Sequence, residues 1–198
     1  MTQQRDLYAE AMQRFRSVFE RARKAGLPEP TAVTLATADA RGRPSARTVL
    51  LKEADERGFV FYTNGESRKG RELAANPRAA LCCFWQPLME QVIVAGAVER
   101  VAVEEADAYW ATRDRSSQLG AWASLQSRPL PNRRTLVGRV ARYAVQCAGR
   151  PVPRPPHWFG YRVVPDRIEF WSARPHRLHE RTSYRQHGRR CTKGLLYP

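Results

Sequence analysis

The chain has 198 residues, of which 42% are hydrophobic and 27% charged, a composition typical of one globular domain with its own core. No apolar run reaches the roughly 20 residues that a transmembrane helix needs, and the N-terminal residues, Met-Thr-Gln-Gln-Arg-Asp, have no signal-peptide core. These features predict a cytoplasmic protein that does not bind a membrane.

The formal net charge of +15 raises the question of nucleic-acid binding. Lysine occurs only at Lys24, Lys52, Lys69 and Lys193, and the many arginines are spread along the chain rather than gathered in one basic arm. The sequence has neither zinc-finger spacing nor the aromatic-basic motifs of single-strand binders. We therefore predict no nucleic-acid partner, and expect part of the charge to serve phosphorylated small molecules.

The predicted elements begin with a helix over residues 6–25, where apolar residues recur at helical spacing. Strands are predicted over residues 32–38, 45–52 and 59–63, joined by short Gly-containing turns that are typical of antiparallel hairpins. A short helix follows over residues 67–75, with Ser67 as its N-cap. Two more strands are predicted over residues 78–86 and 91–101.

The second half of the chain starts with three amphipathic segments, which predict helices over residues 104–112, 117–124 and 133–146. A Pro-rich loop then leads to strands over residues 161–164, 167–171, 177–185 and 191–196. Neither a repeat nor a long linker divides the chain, so we predict one domain over residues 1–198. Six or more antiparallel strands with helices around them predict a mainly β (α+β) fold, a small antiparallel β-barrel with peripheral helices.

Cysteine usage gives no sign of a metal or redox site. The four cysteines, Cys82, Cys83, Cys147 and Cys191, include no C-x-x-C pair. We expect reduced structural thiols, with Cys82 and Cys83 in a buried strand. G-x-S-x-G, H-E-x-x-H and G-x-G-x-x-G motifs are also missing, which argues against a hydrolase elbow, a zinc protease and a dinucleotide-binding domain.

Basic residues cluster in two places in the first half. On the strand over residues 45–52, Arg47 and Lys52 lie on opposite faces, and each can hold an anion, although such residues are usually solvated. In the first turn of the helix that begins at Ser67 are Arg68 and Lys69, where the helix dipole disfavours cations unless an anion is bound. A bound phosphate and a solvated basic turn explain this loop equally well.

The middle of the chain adds a possible phosphate clamp. Tyr109, Arg113 and Ser117 are four residues apart, so a continuous helix would place them on one face, and Ser117 is also a candidate N-cap. By itself this pattern is more often an ordinary polar helix face. Gln91, on a strand, is similarly ambiguous, because a strand-borne amide either contacts the edge of a heterocycle or is simply exposed.

Near the C-terminus, the segment Arg177-Leu-His-Glu-Arg181 follows an apolar run that ends in Trp171. If the segment is extended, Arg177, His179 and Arg181 point to one face, because side chains alternate across a strand. Three such groups beside a tryptophan suit an anionic aromatic ligand better than a solvated surface.

Taken in order, these segments closely resemble the pyridoxine/pyridoxamine 5′-phosphate oxidase family of FMN-dependent split-barrel flavoproteins. The resemblance runs from about Pro30 to the C-terminus. The motifs that carry it are RTVLLK, FYTN-x-x-SRKG, Tyr-x3-Arg-x3-Ser-Gln-x-Gly-Ala-Trp, QS, IEFW and RLHER. The resemblance implies a split β-barrel of the FMN-binding type that forms a homodimer with FMN at the subunit interface.

The resemblance also implies the site residues. Lys52, Tyr109, Arg113 and Ser117 would hold the substrate phosphate, with Arg177 and His179 over the substrate ring as the catalytic pair. Residues 177–198 would form C-terminal strands that complete the site, and residues 1–28 an N-terminal helix. The implied FMN ligands are Arg47, Thr48, Val49, Leu50, Leu51, Lys52, Tyr62, Thr63, Arg68, Lys69, Gln91, Gln126, Ser127, Trp171 and Arg181.

The implied reaction is oxidation of a phosphorylated B6 vitamer to pyridoxal 5′-phosphate, with O2 as acceptor and H2O2 as product. Two alternatives stay open: an oxidase of the same fold with another substrate, as in phenazine biosynthesis, and a non-catalytic flavin- or pyridoxal-phosphate-binding protein. Three features depart from the family pattern: the short segment before the first helix, Phe159 in place of a usual glycine, and Cys191 and Leu195 near the C-terminus.

Overall fold

The structure is a computed structural model that describes residues 6–188 and 190–198. None of the helices in this part of the chain is long and apolar enough to cross a membrane. The helices are α1 (Leu7–Lys24), α2 (Arg68–Ala75), α3 (Val103–Ala111), α4 (Arg115–Ala123) and α5 (Arg133–Gln146). The strands are β1 (Ala32–Ala38), β2 (Pro44–Leu50), β3 (Glu53–Asp55), β4 (Gly58–Asn64), β5 (Arg78–Trp85), β6 (Glu90–Arg100), β7 (Trp158–Ser172), β8 (Glu180–His187) and β9 (Arg190–Leu196).

The strands form one antiparallel sheet with the order β2-β1-β5-β6-β7-β4-β3, and β8 and β9 extend it from β7. Strands β2 and β3 stand at opposite ends of this order but are joined by only two residues, so the sheet must curl. The backbone N–H of Lys52, in this two-residue link, donates to the Val60 carbonyl of β4 at 2.8 Å. The predicted antiparallel barrel with peripheral helices is confirmed.

Strand β7 was predicted as two strands and is one continuous strand. One of its edges pairs with β6, and the other pairs with β4 up to Val163 and with β8 from Arg167 onward. A register shift at Gly96 of β6 lies opposite Pro165, where β7 changes partner. Gly96 is required there, because a Cβ atom would lie 1.9 Å from the Val164 carbonyl oxygen.

The prediction of a strand over residues 177–185 is wrong at its start. Pro175–Arg177 form a 3-10 turn, and β8 begins only at Glu180. His176 and Arg177 have φ angles of 57° and 61°, which are incompatible with an extended strand. Arg177, His179 and Arg181 therefore do not share one strand face by alternation.

The apolar side of helix α1 packs into the main hydrophobic core. Met12, Phe15 and Val18 are buried, and the Phe15 ring meets the edge of Phe59 at 4.8 Å between centroids. A second cluster, with Trp110, Leu119 and Trp158 at its centre, packs α3 and α4 against the start of β7. The main core cluster thus holds α1, and the second cluster holds α3 and α4.

A buried arginine ties three elements together. Arg162 of β7 is 2% exposed and donates to Asp55 Oδ1 of β3 at 2.9 Å and to Glu105 Oε1 of α3 at 2.6 Å. The exposed Arg57 contacts the same two carboxylates from the solvent side. Arg162 therefore fixes α3 against the sheet.

We expect Arg162→Ala to lower the free energy of unfolding by about 3 kcal/mol, because Asp55 and Glu105 would lose their buried partner and keep only the exposed Arg57. Arg57→Ala, which removes an exposed charge from the same carboxylates, should cost less than about 1 kcal/mol. Urea denaturation of both variants measures the difference. Equal losses would show that burial of Arg162 contributes nothing.

Candidate active site

A cavity of about 500 Å³ opens where the ends of β2 and β4 meet α2, α3 and α4. It brings together eleven of the predicted site residues from distant parts of the sequence. Its lining residues are Thr48, Val49, Leu50, Lys52, Tyr62, Thr63, Lys69, Tyr109, Thr112, Arg113, Asp114, Ser117 and Gln126. Three cationic side chains against one carboxylate make the cavity suited to an anion.

Two aromatic rings, Tyr62 and Tyr109, line one wall of the cavity, and Trp158 packs against both. The ring centroids are 4.1 Å apart for Tyr62 and Tyr109, 5.1 Å for Tyr62 and Trp158, and 6.0 Å for Tyr109 and Trp158. Lys52 Nζ lies 5.9 Å from the Tyr109 ring centroid, and the Arg113 guanidinium lies 5.1 Å from that of Trp158. The rings place both cations by cation–π contact.

Tyr109, Arg113 and Ser117 reach the cavity in a different way from the one predicted. They are not on one helix, because α3 ends at Ala111 and α4 begins at Arg115. Ser117 is not an N-cap either: Asp114 caps α4 by accepting the Ser117 N–H at 2.8 Å. Hydrogen bonds from Ser116 and Ser117 hold the pKa of Asp114 well below its usual range.

Thr112 and Asp114 also line the cavity and were not predicted as site residues. Asp114 stands just before a helical segment, and an aspartate at that place is a recognised N-cap signal. The N-cap signal at Asp114 therefore indicates a helix that begins at Arg115, two residues before the predicted start at Ser117.

Lys69 is the most deeply buried cation of the cavity, with 8% exposure. Its ammonium group donates to Gln126 Oε1 at 2.9 Å and to Ser67 Oγ at 3.4 Å, and neither acceptor is charged. Burial, with a smaller effect from the nearby charge of Arg47, lowers the pKa of Lys69 to about 8. A bound anion would restore the charged state.

Two lining residues carry polar atoms that lack a partner. In the part of the chain that the structure describes, three buried side-chain polar atoms have no hydrogen-bond partner, and two of them are Tyr62 OH and Arg113 Nε. Burial raises the pKa of Tyr62 to about 12, so its hydroxyl keeps its proton. Buried groups of this kind are normally satisfied, so the cavity fits a ligand rich in acceptor atoms, such as a phosphorylated compound.

Four predicted site residues lie beside the cavity without lining it. Arg47 and Arg68 both contact Glu72 of α2. Ser127, with a φ of 72°, accepts the Arg68 backbone N–H through its Oγ at 3.1 Å. The Leu51 side chain is buried in the core.

The remaining predicted site residues form a second group, outside the cavity lining. Gln91, Trp171 and Arg181 are direct neighbours on β6, β7 and β8. The His179 ring lies 4.8 Å from the Trp171 ring, and His179 Nδ1 accepts the Arg174 backbone N–H at 3.2 Å. Arg181 donates to Glu169 Oε1 at 2.6 Å.

Arg177 belongs to the same region by its place in the 3-10 turn, and its side chain is exposed. Leu178, beside it, is 69% exposed. The turn therefore presents a cation and an apolar side chain outward from the sheet.

Comparison with known protein families gives two matches that together cover most of the chain. Residues 19–147 match the family described as "Pyridoxamine 5′-phosphate oxidase". Residues 158–198 match the "Pyridoxine 5′-phosphate oxidase C-terminal dimerisation region".

Curated relatives agree with these matches. A "Pyridoxine/pyridoxamine 5′-phosphate oxidase" of Myxococcus xanthus is 59% identical over 187 residues, which is 94% of this chain and 91% of the relative. A protein of the same name from Alkalilimnicola ehrlichii is 56% identical, over 97% of this chain and 99% of the relative.

Among solved structures, PhzG from Burkholderia lata, in complex with tetrahydrophenazine-1-carboxylic acid, superposes with a TM-score of 0.89. It is 33% identical, over 94% of this chain and 92% of that one. A pyridoxamine 5′-phosphate oxidase-related, FMN binding protein from Nostoc punctiforme superposes with a TM-score of 0.71 at 18% identity and shows the shared fold.

The depressed pKa of Lys69 predicts pH-dependent anion binding. Sulfate keeps one charge state across the range, so its affinity for the ligand-free protein should fall as the pH rises through about 8, where Lys69 loses its proton. Sulfate titrations at pH 7 and pH 9 measure this. Lys69→Arg keeps its charge and should remove the change between these two pH values; an unchanged affinity in the parent protein would contradict the assignment.

Proposed function

The chain belongs to the pyridoxine/pyridoxamine 5′-phosphate oxidase family, and we propose that it oxidises pyridoxamine 5′-phosphate and pyridoxine 5′-phosphate to pyridoxal 5′-phosphate with FMN as cofactor. Dioxygen is the acceptor and becomes H2O2, and the amine substrate also releases ammonia. The chain is thus a flavin-dependent oxidoreductase of vitamin B6 metabolism. The observation that carries this proposal is the cationic cavity, whose unpaired Tyr62 OH and Arg113 Nε belong to residues of the family motifs.

The cavity supports two phosphate positions. Lys69, with Gln126 and the N-terminus of α2 beside it, would hold the FMN phosphate, since the helix dipole favours an anion there. Lys52, Tyr109, Arg113 and Ser117, on the α3–α4 side, would hold the substrate phosphate.

The second group would act at the substrate ring. FMN supplies the hydride acceptor and the route for electrons to dioxygen. Because His179 Nδ1 accepts a backbone hydrogen bond, the neutral ring carries its proton on Nε2 and can donate to the substrate. Arg177 would orient the substrate and stabilise negative charge, and Trp171 and Arg181 would contact the flavin. The protein's contribution is then positioning rather than strong base catalysis.

The separation of the two groups argues for a homodimer with sites at the interface. Tyr62 of the cavity pairs with Gly160 at one end of β7, and Trp171 lies at the other end. About 35 Å of extended strand separates these two positions. The C-terminal part of the chain matches a dimerisation region, and its Leu195 and Tyr197 are 84% and 94% exposed. One subunit would supply the cavity and the other the second group.

The alternative substrates have less support. PhzG is 33% identical, against 59% for the pyridoxine/pyridoxamine 5′-phosphate oxidase of Myxococcus xanthus. The four residues assigned to the substrate phosphate are all present and line the cavity. A non-catalytic flavin-binding protein would retain flavin without forming peroxide, so turnover separates it from an oxidase.

The proposed function predicts that the purified protein with FMN converts pyridoxamine 5′-phosphate to pyridoxal 5′-phosphate in air, with one H2O2 per product. Arg177→Ala should lower kcat/KM at least about 100-fold, because it removes a charged contact to the reacting substrate. Arg134→Ala, which removes an exposed charge from α5, should leave the rate unchanged. Bound FMN without product would overturn the assigned reaction but leave flavin binding intact.

The shared-site arrangement predicts complementation between inactive variants. Arg113→Met disables the cavity and Arg181→Ala the second group, so each homodimer should be inactive. Mixed at equal amounts after denaturation and refolding, they should regain about one quarter of the parental activity, because half the dimers are hybrid and each hybrid has one intact site. If no activity returns while the refolded parent is active, both groups belong to the same subunit.

A further inference from the structure

A buried carboxylate lies at the centre of the basic group next to the cavity. Glu72 of α2 is 5% exposed. Its Oε2 accepts from Thr37 Oγ1 at 2.5 Å, Ser45 Oγ at 2.6 Å and Arg47 Nη2 at 3.2 Å, and its Oε1 accepts from Arg68 Nε at 2.8 Å. The positively charged side chains of Arg47 and Arg68 are thus both held by the Glu72 carboxylate.

We propose that Glu72 is a positioning residue for the flavin phosphate. It fixes Arg47 and Arg68, and it sets the net charge of the phosphate-binding group, which consists of these two arginines, Lys69 and Glu72 itself. The proposal rests on the proposed function only in that FMN binds at the N-terminus of α2. None of the sequence motifs marks Glu72, because its role depends on contacts with β1 and β2, far away in sequence.

The charge of the group matches a phosphate monoester once Glu72 is counted. Arg47, Arg68 and Lys69 carry three positive charges, and Glu72 removes one, which leaves two. A phosphate monoester carries about −1.5 to −2 at pH 7. Without Glu72 the group would hold one positive charge more than the phosphate monoester neutralises.

Glu72 keeps its negative charge throughout the pH range of cells. Burial raises its pKa, but hydrogen bonds from Ser45, Thr37, Arg68 and Arg47 outweigh burial and lower the pKa to about 2. The carboxylate is therefore a fixed charge and not a proton donor, which fits a role in holding arginines.

The hydroxyl groups around Glu72 make its position rigid. Thr37 and Ser45 face each other in the register of β1 and β2 and both donate to the same carboxylate oxygen. Arg47 also donates to Thr37 Oγ1 at 2.5 Å and contacts Ser45 Oγ. Glu72 and Arg47 thus share the same two supports, and the guanidinium is oriented before any ligand arrives.

The test compares FMN with riboflavin, which lacks the phosphate, in binding to the apoprotein. In Glu72→Gln the amide NH2 group would face an arginine donor, and the counter-charge would be lost. FMN should then bind about tenfold more weakly, the loss expected for one charge-assisted hydrogen bond. Riboflavin affinity should stay unchanged, and flavin fluorescence quenching gives both dissociation constants.

Glu66→Gln is the matched control. It removes the same charge from the loop just before α2, but Glu66 is exposed and pairs only with the exposed Arg128 at 3.2 Å among the described side chains. FMN and riboflavin should both bind Glu66→Gln as they bind the parent protein. Glu72→Asp keeps the charge with a shorter reach, and should lose FMN affinity selectively but less than Glu72→Gln.

Three results for Glu72→Gln would overturn the proposal. Equal losses of FMN and riboflavin affinity would indicate general disruption, and tighter FMN binding would make Glu72 a competitor of the phosphate. An unchanged FMN affinity would show that Glu72 has no role in binding it. If Glu72→Gln does not fold, a selective FMN loss in Glu72→Asp supports the proposal and an unselective loss overturns it. A parent protein that binds FMN but lacks oxidase activity would overturn the proposed reaction alone, because these affinities do not depend on turnover.

Discussion

The change of partner along β7 is the constraint on which the rest of the structure depends. A strand has two edges, and β7 uses one for β6 while dividing the other between β4 and β8. The division occurs at Pro165, which has no N–H to donate, opposite Gly96, which alone allows the close approach. The first half of β7 thereby supports the cavity through Trp158 and Arg162. The second half carries Glu169 and Trp171 into the second group, so one strand positions both groups of predicted site residues and also keeps them apart.

The structure pairs several of its cationic side chains with carboxylates before a ligand binds. Removing a charge from water is costly unless a partner compensates it. Arg47 and Arg68 are compensated by Glu72, Arg162 by Asp55 and Glu105, and Arg181 by Glu169. Lys69 and Arg113 differ, because their hydrogen bonds go to uncharged oxygens and burial lowers the pKa of both. Both of these side chains line the cavity, so we expect an anionic ligand beside these buried cations.

Local patterns predicted most of the elements, because helical spacing in α1 and α5 and the glycine turns around β1–β4 depend only on nearby residues. Motifs also selected the side chains that meet in the cavity, from Lys52 to Gln126.

What the sequence did not reveal depends on distant contacts. The sequence predicts separate strands over residues 161–164 and 167–171, whereas β7 runs through Pro165 because Gly96 opposite it makes the bulge possible. Arg177 was placed on a strand because nothing local signals a positive φ. Glu72 was overlooked because its four partners come from β1, β2 and α2.

Phe159 shows how a departure from the family pattern is absorbed. Its ring lies against the loop before α2, where a Cβ atom at position 65 would be 2.7 Å from the ring, so the residue there must be glycine. Gly70 in turn packs against the Gly65 carbonyl, where a Cβ atom would be 2.2 Å from the oxygen. Arg100 covers the outer face of the Phe159 ring at 3.9 Å. The larger side chain therefore fills space between the sheet and the backbone of the loop before α2, and it is not among the residues that line the cavity.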